Sequence, residues 1–319
     1  MRVLIFDDPA FDEHHQGPGH PESPARLVAV RAALAGRPWI RRRGRPATVE
    51  ELCTVHAPAY VDAVLATDGR PVVLDPDVST SAGSVRAARR AAGAALDAAD
   101  ALVRGEPGFV LCRPPGHHAT PDRAMGFCIF NNAALAAHRL TGRDGDGARR
   151  RVLVFDPDVH HGNGTQDIFW QRDDVLYVSL HRAPFYPGSG AETERGAGPG
   201  AGLTVNVELP AGAGDDVVLA AFFERALPAI EDFDPEYCVI SAGYDALAGD
   251  PLGGMRLSID GLCRMWAPIV AAVPTMAVLE GGYDPPLLGR AVAATADLLA
   301  GDATGRRGPP GVRRQPTAP

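Results

Sequence analysis

Residues 152–166 read V-L-V-F-D-P-D-V-H-H-G-N-G-T-Q. Val152–Phe155 is a short apolar run with no polar alternation, the pattern of a strand buried on both faces. It stops at a loop crowded with Asp and His. Outward from it the same pattern repeats. Apolar runs at Val3–Phe6, Val72–Leu74, Phe109–Cys112, Val175–Ser179, Leu203–Val207, Tyr237–Ser241 and Met276–Leu279 predict further strands. Helical patterns lie between several of them, at Ser81–Arg104, Asn131–Arg139, Asp215–Ile230, Ser258–Val273 and Pro285–Leu299. Strand and helix in alternation predict an α/β fold with a mainly parallel sheet, and right-handed crossovers that put helices on both faces.

The chain of 319 residues is 45% hydrophobic and 22% charged, enough apolar mass for one large core. That excludes a disordered chain, a collagen-like chain and a small disulfide scaffold. A net charge of −8 argues against a general phosphate-backbone binder, so no nucleic-acid partner is expected. Every basic residue is Arg, and with the heavy use of Ala and Gly this points to a GC-rich bacterial genome. The five cysteines form no C-x-x-C pair and read as reduced core thiols. Met1–Phe6 lacks a signal-peptide pattern and no apolar run reaches about 18 residues, so a cytoplasmic protein without membrane contact is expected. The Pro-, Gly- and Arg-rich tail 301–319 is predicted to be disordered, leaving one domain over residues 1–300. Arg41–Arg43 reads as a solvated loop.

The chemistry sits just after the strands. Phe109–Cys112 leads into R-P-P-G-H-H, Val152–Phe155 into D-P-D-V-H-H-G-N-G, Tyr237–Ser241 into A-G-Y-D, and Met276–Leu279 into E-G-G-Y-D. Ligands of open α/β sheets bind at the carboxyl ends of strands, so these loops should converge. Asp158 and His160, two apart on an extended segment, point the same way. With Asp245 they make a three-ligand site with an open position, as a catalytic zinc needs. A structural Asp–His pair capping a helix would leave Asp245 and the tandem histidines unexplained. His117 and His118, fixed by two prolines and a glycine, suit general bases beside a metal-activated water, with Asp156 and Asn163 as orienting partners. Tyr283 follows two glycines that read as a flexible hinge, from which a phenol can donate to an oxyanion. Phosphate-loop, dinucleotide and G-x-S-x-G spacings are absent.

Taken together, R-P-P-G-H-H (113–118), G-F-C-I-F-N-N (126–132), D-P-D-V-H-H-G-N-G-T-Q (156–166), S-L-H-R-A-P-F-Y-P-G-S-G (179–190), S-A-G-Y-D-A-L-A-G-D-P-L (241–252) and E-G-G-Y (280–283) resemble the histone deacetylase and acetylpolyamine amidohydrolase family. So does the opening G-P-G-H-P-E-S-P-A-R-L (17–27), and the likeness runs in order over about residues 1–300. The resemblance implies the arginase/deacetylase fold, a single α/β domain with an eight-stranded parallel sheet between helices. It implies one Zn2+ on Asp158, His160 and Asp245, His118 as general base then acid, His117 as its electrostatic neighbour with Asp156 behind it, and Tyr283 as oxyanion donor. Asn163, where one branch has Asp, makes the chain class II-like. A structural K+ would use Asp156, Asp158 and His160 with Ser179 and Leu180. Phe127 and Tyr186 match the aromatic walls of the acyl tunnel, Tyr186 departing from the usual Phe. Gly126, Gly281 and Gly282 join them in the substrate-binding surface, and Asp77 falls near the substrate-clamping loop.

Two positions refine the resemblance. Arginases bind two manganese ions through Asp-x-His-x-Asp, and Gly162 removes the second Asp, favouring one zinc. Leu252 stands where polyamine-selective members can carry a gatekeeper Glu. That favours N-acetyl-lysine in proteins or peptides over small acetylated amines such as polyamines, although other polyamine enzymes use loops and dimerisation instead. A non-catalytic acyl-amine binding module is the third reading, and the oligomeric state is open.

Overall fold

The computed structural model describes residues 3–142 and 149–301. Among the described residues ten strands run in chain order: β1 (Leu4–Phe6), β2 (Ile40–Arg42), β3 (Val73–Asp75), β4 (Val78–Ser79), β5 (Gly108–Val110), β6 (Val152–Asp156), β7 (Val175–Arg182), β8 (Thr204–Leu209), β9 (Tyr237–Ala242) and β10 (Thr275–Leu279). Eight form one sheet in the order β2-β1-β5-β10-β9-β6-β7-β8, every pair parallel. This is the arginase/deacetylase α/β architecture. The strands from β5 through β6 are buried along their lengths, as their unbroken apolar runs require.

Two expectations about strands need correction. Val72–Leu74 is not part of the large sheet. Val73–Asp75 pairs antiparallel with Val78–Ser79 in a small hairpin, and Val73 is 71% exposed. The eighth strand is β2, from a segment read as a solvated loop. Arg41 and Arg42 lie on it, paired only with β1, and their side chains stay exposed. An edge strand of three residues with one neighbour carries no apolar run to read.

Helices cover both faces. Ser84–Val103 packs on Asn132–Leu140, and Ala25–Ala33 packs on Pro285–Gly301. Asn131 and Ser258 cap their helices, accepting from the backbone N–H groups of Ala134 and Gly261. The helix expected over Asp215–Ile230 is interrupted. A π-turn at Phe222–Ala226 separates Asp215–Ala221 from Leu227–Phe233, because Pro228 has no N–H to continue the helical ladder. Gly301 ends the last helix, while 302–319, the rest of the expected tail, lies outside the described residues. Among the described residues no helix is long and apolar enough to cross a membrane, and all five cysteines are free.

Candidate metal centre and active site

β5, β10, β9 and β6 are consecutive in the sheet. Their carboxyl ends therefore deliver the four Asp-, His- and Tyr-bearing loops to one place. Asp156 ends β6, and Asp158 and His160 follow it; Asp245 follows β9. Oδ1 of Asp158 and Oδ2 of Asp245 each lie 3.1 Å from His160 Nδ1, and both carboxylates are fully buried. One ligand atom from each residue falls within 4.8 Å of the others. Burial and the nearby Asp158 push Asp245 up to about 7, whereas His117 and His160 hold Asp158 well below the usual carboxylate range despite its burial. Two buried carboxylates this close disfavour full ionisation unless a cation sits between them. One imidazole and two carboxylates with a side left open is a donor set suited to a divalent metal such as zinc.

Backbone supports this cluster. The Gly281 N–H donates to Asp158 Oδ2 (3.0 Å), and a Cβ on Gly281 would lie 2.6 Å from that oxygen. Gly281 and Gly282 are therefore not a loose hinge. Gly281 is glycine because the chain passes against Asp158 and Asp245, and Gly282 because its φ of 118° and the packing of Tyr244 and Leu288 leave no place for a Cβ; the carbonyl of Gly282 is held by Arg26 Nε at 2.7 Å.

The histidine pair has two distinct partners. His117 Nδ1–H donates to Asp156 Oδ2 (3.1 Å), which also accepts from the Tyr177 hydroxyl (3.1 Å). Burial opposes a charge on His117, but Asp158 and Asp156 outweigh it and raise the imidazole to about 10. His118 Nδ1–H donates to Asn163 Oδ1 (2.9 Å), leaving Nε2 as the basic atom. Burial, then the neighbouring His117 and His160, hold His118 well below 6.5. It is thus a neutral base beside a more readily charged partner. Its ring centroid is 4.0 Å from that of His117 and 5.8 Å from that of His160.

Tyr283 is placed by its N–H on Asp250 Oδ2 (2.6 Å) and by Arg26 over its ring (5.2 Å). Burial and Asp245 push its phenol well above 10, so it stays protonated and able to donate. Its ring stands edge-on to Phe127 at 5.8 Å. Phe127 holds a left-handed backbone (φ 67°) and also meets His20 at 4.6 Å. Tyr186 stands edge-on to His118 at 5.2 Å. Asp77 Oδ1 accepts from the Gly126 N–H (3.1 Å). Leu252 is exposed on the turn whose Asp250 holds Tyr283. Asp156 and Ser179 are register partners on β6 and β7, with Leu180 next along the strand. At Gly162 a Cβ would come within 2.5 Å of the Tyr177 hydroxyl, leaving no room for a second-metal carboxylate.

Several supporting residues escaped the motif reading. Phe185 stacks on His160 (5.0 Å, 14°). Glu280 accepts from the N–H groups of Gly116 (2.6 Å) and His117 (3.1 Å), fixing the histidine loop. Arg26 also donates to the Glu280 carbonyl, and buried Glu22 bridges Arg26 and Arg113. The P-E-S-P-A-R and E-G-G-Y stretches held the signal, as acidic and basic residues set among prolines and glycines.

The histone deacetylase domain family matches residues 20–299. The chain belongs to the histone deacetylase and acetylpolyamine amidohydrolase family. It is 41% identical over 298 residues to histone deacetylase 15 of Arabidopsis thaliana, covering 89% of this chain and 53% of that protein. The chain thus spans about half the length of that relative. It is 40% identical over 292 residues to a histone deacetylase-like amidohydrolase of Pseudomonas aeruginosa, covering 86% of this chain and 76% of that one. A solved acetylpolyamine aminohydrolase of Burkholderia pseudomallei superposes with a TM-score of 0.84 at 32% identity, covering 96% of this chain and 100% of that chain.

Proposed function

We propose that this family member is a zinc-dependent deacetylase of N-acetyl-lysine in proteins or peptides, working in the cytoplasm. The observation that carries the reading is neutral His118, with Nδ1 committed to Asn163, standing beside the Asp158–His160–Asp245 cluster.

Asp158, His160 and Asp245 would hold the zinc. When bound, the ion supplies Lewis acidity toward the amide carbonyl and a lowered pKa for a water. His118 Nε2 takes the proton of the attacking water, and the same atom returns a proton to the leaving amine. His117, tied to Asp156, stabilises negative charge as it develops. The Tyr283 hydroxyl donates to the oxyanion. Asp156, Ser179 and Leu180, with Asp158 and His160, would take a structural K+.

The likeness to an acetylpolyamine aminohydrolase keeps a small acetylated amine as the second reading. Zinc-loaded protein should be assayed for amine release from an acetyl-lysine peptide and from N-acetylputrescine. A higher kcat/KM on the peptide is the expected result. A preference for the polyamine would overturn the substrate assignment. Turnover of neither, with acetyl-lysine still bound by metal-free protein, would leave a binding module.

A further inference from the structure

A metal-binding histidine is normally oriented by a hydrogen bond from its second ring nitrogen to a carboxylate, carbonyl or water. His160 lacks such a protein partner. Its Nδ1 faces Asp158 Oδ1 and Asp245 Oδ2, and among the described residues no protein group bonds its Nε2. Its ring plane is set by stacking instead, with Phe185 lying nearly parallel to it at 5.0 Å and 14°. The loop that carries Phe185 follows β7. Its far end is tied where His181 Nε2–H donates to the Gly190 carbonyl (3.0 Å) and Glu194 accepts from the Gly190 N–H (3.1 Å). Its near end is Arg182, the last residue of β7, whose guanidinium lies on the Phe185 ring at 4.1 Å.

Arg182 also reaches the backbone beside the other two carboxylate-bearing segments. Its N–H donates to the carbonyl of Val159 (2.9 Å), which lies between Asp158 and His160 in the chain. The Val159 N–H donates in turn to Asp245 Oδ1 (2.9 Å). Arg182 Nη1 donates to the Gly253 carbonyl (3.2 Å), and Gly253 is packed on Asp245 so closely that a Cβ would run into the Asp245 carbonyl. Gly254 has a φ of 61°, and a Cβ there would lie 2.8 Å from Arg182 Nη1. The cation is not placed for an ion pair. No carboxylate pairs with it among the described residues, and its buried Nε has no partner. Leaving a buried donor unmade costs stability, and what the guanidinium gains is its flat face on an aromatic ring.

We infer that Arg182 is a positioning residue for the metal centre: by fixing Phe185 it sets the plane of the His160 ring, and by holding the Gly253 carbonyl it keeps Asp245 in place against that ring. The inference rests on the reading of Asp158, His160 and Asp245 as zinc ligands. Arg182 acts through Phe185 and Gly253, as a stack does where the usual hydrogen bond to the ligand's second nitrogen is missing. Ligands held in place before the ion arrives bind it more tightly, and losing a supporting partner of this kind costs about 10- to 100-fold in metal affinity.

The test needs no turnover. Zn2+ affinity is measured by competition with a chelating dye for metal-free wild type, Arg182→Ala, Arg182→Lys, Phe185→Leu and the Arg182→Ala/Phe185→Leu double variant, and absorption spectra are recorded for the Co2+-loaded proteins. Arg182→Ala should weaken zinc about 10- to 100-fold and shift the cobalt bands, which report ligand geometry. Phe185→Leu disturbs the same ring, so the loss in the double variant should fall short of the product of the two single losses. Arg182→Lys keeps the charge and a donor for Gly253 but not the flat face, so it should still bind zinc more weakly than wild type. Zinc affinity of Arg182→Ala within about twofold of wild type, unshifted cobalt bands, or independent losses in the double variant would overturn the inference. So would a lower urea midpoint of metal-free Arg182→Ala with zinc affinity unchanged, which would make Arg182 a residue of the fold alone. Should Arg182→Ala not fold, Arg182→Lys decides, and wild-type zinc affinity there would overturn the inference. Wild type that binds neither metal would bring down the zinc reading and this inference with it, a result distinct from tight binding that no variant changes.

Discussion

The side-chain oxygen of Asn163, at the start of the helix 163–169, accepts a hydrogen bond from His118 Nδ1 at 2.9 Å. A neutral acceptor orients the imidazole without adding charge, and burial with two neighbouring histidines keeps His118 below 6.5. The acidic limb of kcat/KM should therefore lie below pH 6.5. Asn163→Asp places a carboxylate on the same atom and should move that limb up by about one unit or more. Asn163→Ala removes the orienting bond and should lower kcat by about 10- to 100-fold, in the range seen when a supporting partner is lost. A pH profile of all three proteins checks both. An unmoved limb in Asn163→Asp would show that His118 is not the titrating base.

Tyr283 has its backbone fixed by Asp250 and its ring by Arg26 and Phe127. Tyr283→Phe keeps those contacts and removes only the hydroxyl. We expect kcat to fall about 10²- to 10³-fold, the usual effect of losing one oxyanion donor. KM and bound metal should stay close to wild type. Steady-state kinetics with metal analysis by mass spectrometry checks this, and full activity would remove Tyr283 from the mechanism.

Asp245 shares His160 Nδ1 with Asp158 inside a fully buried cluster. Asp245→Ala takes away one of three ligands, so the purified protein should hold less than one zinc per chain and lose activity. Chelation of wild type should abolish turnover, and added Zn2+ should restore it. A ligand that binds the native state at 100 times its Kd contributes about 2.7 kcal/mol, so the melting temperature should fall on chelation. A chelated protein that melts and turns over unchanged would remove the metal from both fold and function.

The Asp158–His160–Asp245 cluster was legible from its setting in the chain. Asp158 and His160 lie two residues apart, and Asp245 follows a plain strand signal. The tandem histidines were equally plain. What stayed hidden depends on packing between distant segments. Glu280 reaches the N–H groups of Gly116 and His117 across two adjacent strands, and Arg26 reaches the carbonyls of residues 280 and 282 from the first long helix. No period or spacing in one sequence encodes such contacts. The glycines before Tyr283 show the converse: flexibility is the obvious reading of a Gly pair, and here close backbone approach to Asp158 and Asp245 requires Gly281 while a positive φ requires Gly282. Strand β2 escaped because three residues at a sheet edge bury too little to leave a pattern.

Away from the active site, His56 and Glu22 both make stability depend on acid. His56 Nε2 accepts from the Asn131 N–H (2.9 Å) while its Nδ1–H donates to the Thr120 carbonyl (2.9 Å). The ring must be neutral to do both, and burial lowers its pKa to about 4. The unfolded chain takes up that proton near 6.5, so this contribution is complete above 6.5 and declines as pH falls toward 4. Glu22 acts lower. Burial opposes its charge, but Arg113 outweighs it and brings the carboxyl down to about 2, so its contribution is lost as pH falls from about 4.5 toward 2. These two groups should therefore lower urea midpoints as pH falls from 6.5. His56→Gln should be less stable at neutral pH and show a flatter slope between pH 6.5 and 4. Glu22→Gln, which leaves Arg26 and Arg113 without their buried carboxylate, should cost about 3–5 kcal/mol at neutral pH and lose its slope below 4.5. If His56→Gln kept the wild-type slope, His56 would not be the group linking folding to protons in that range.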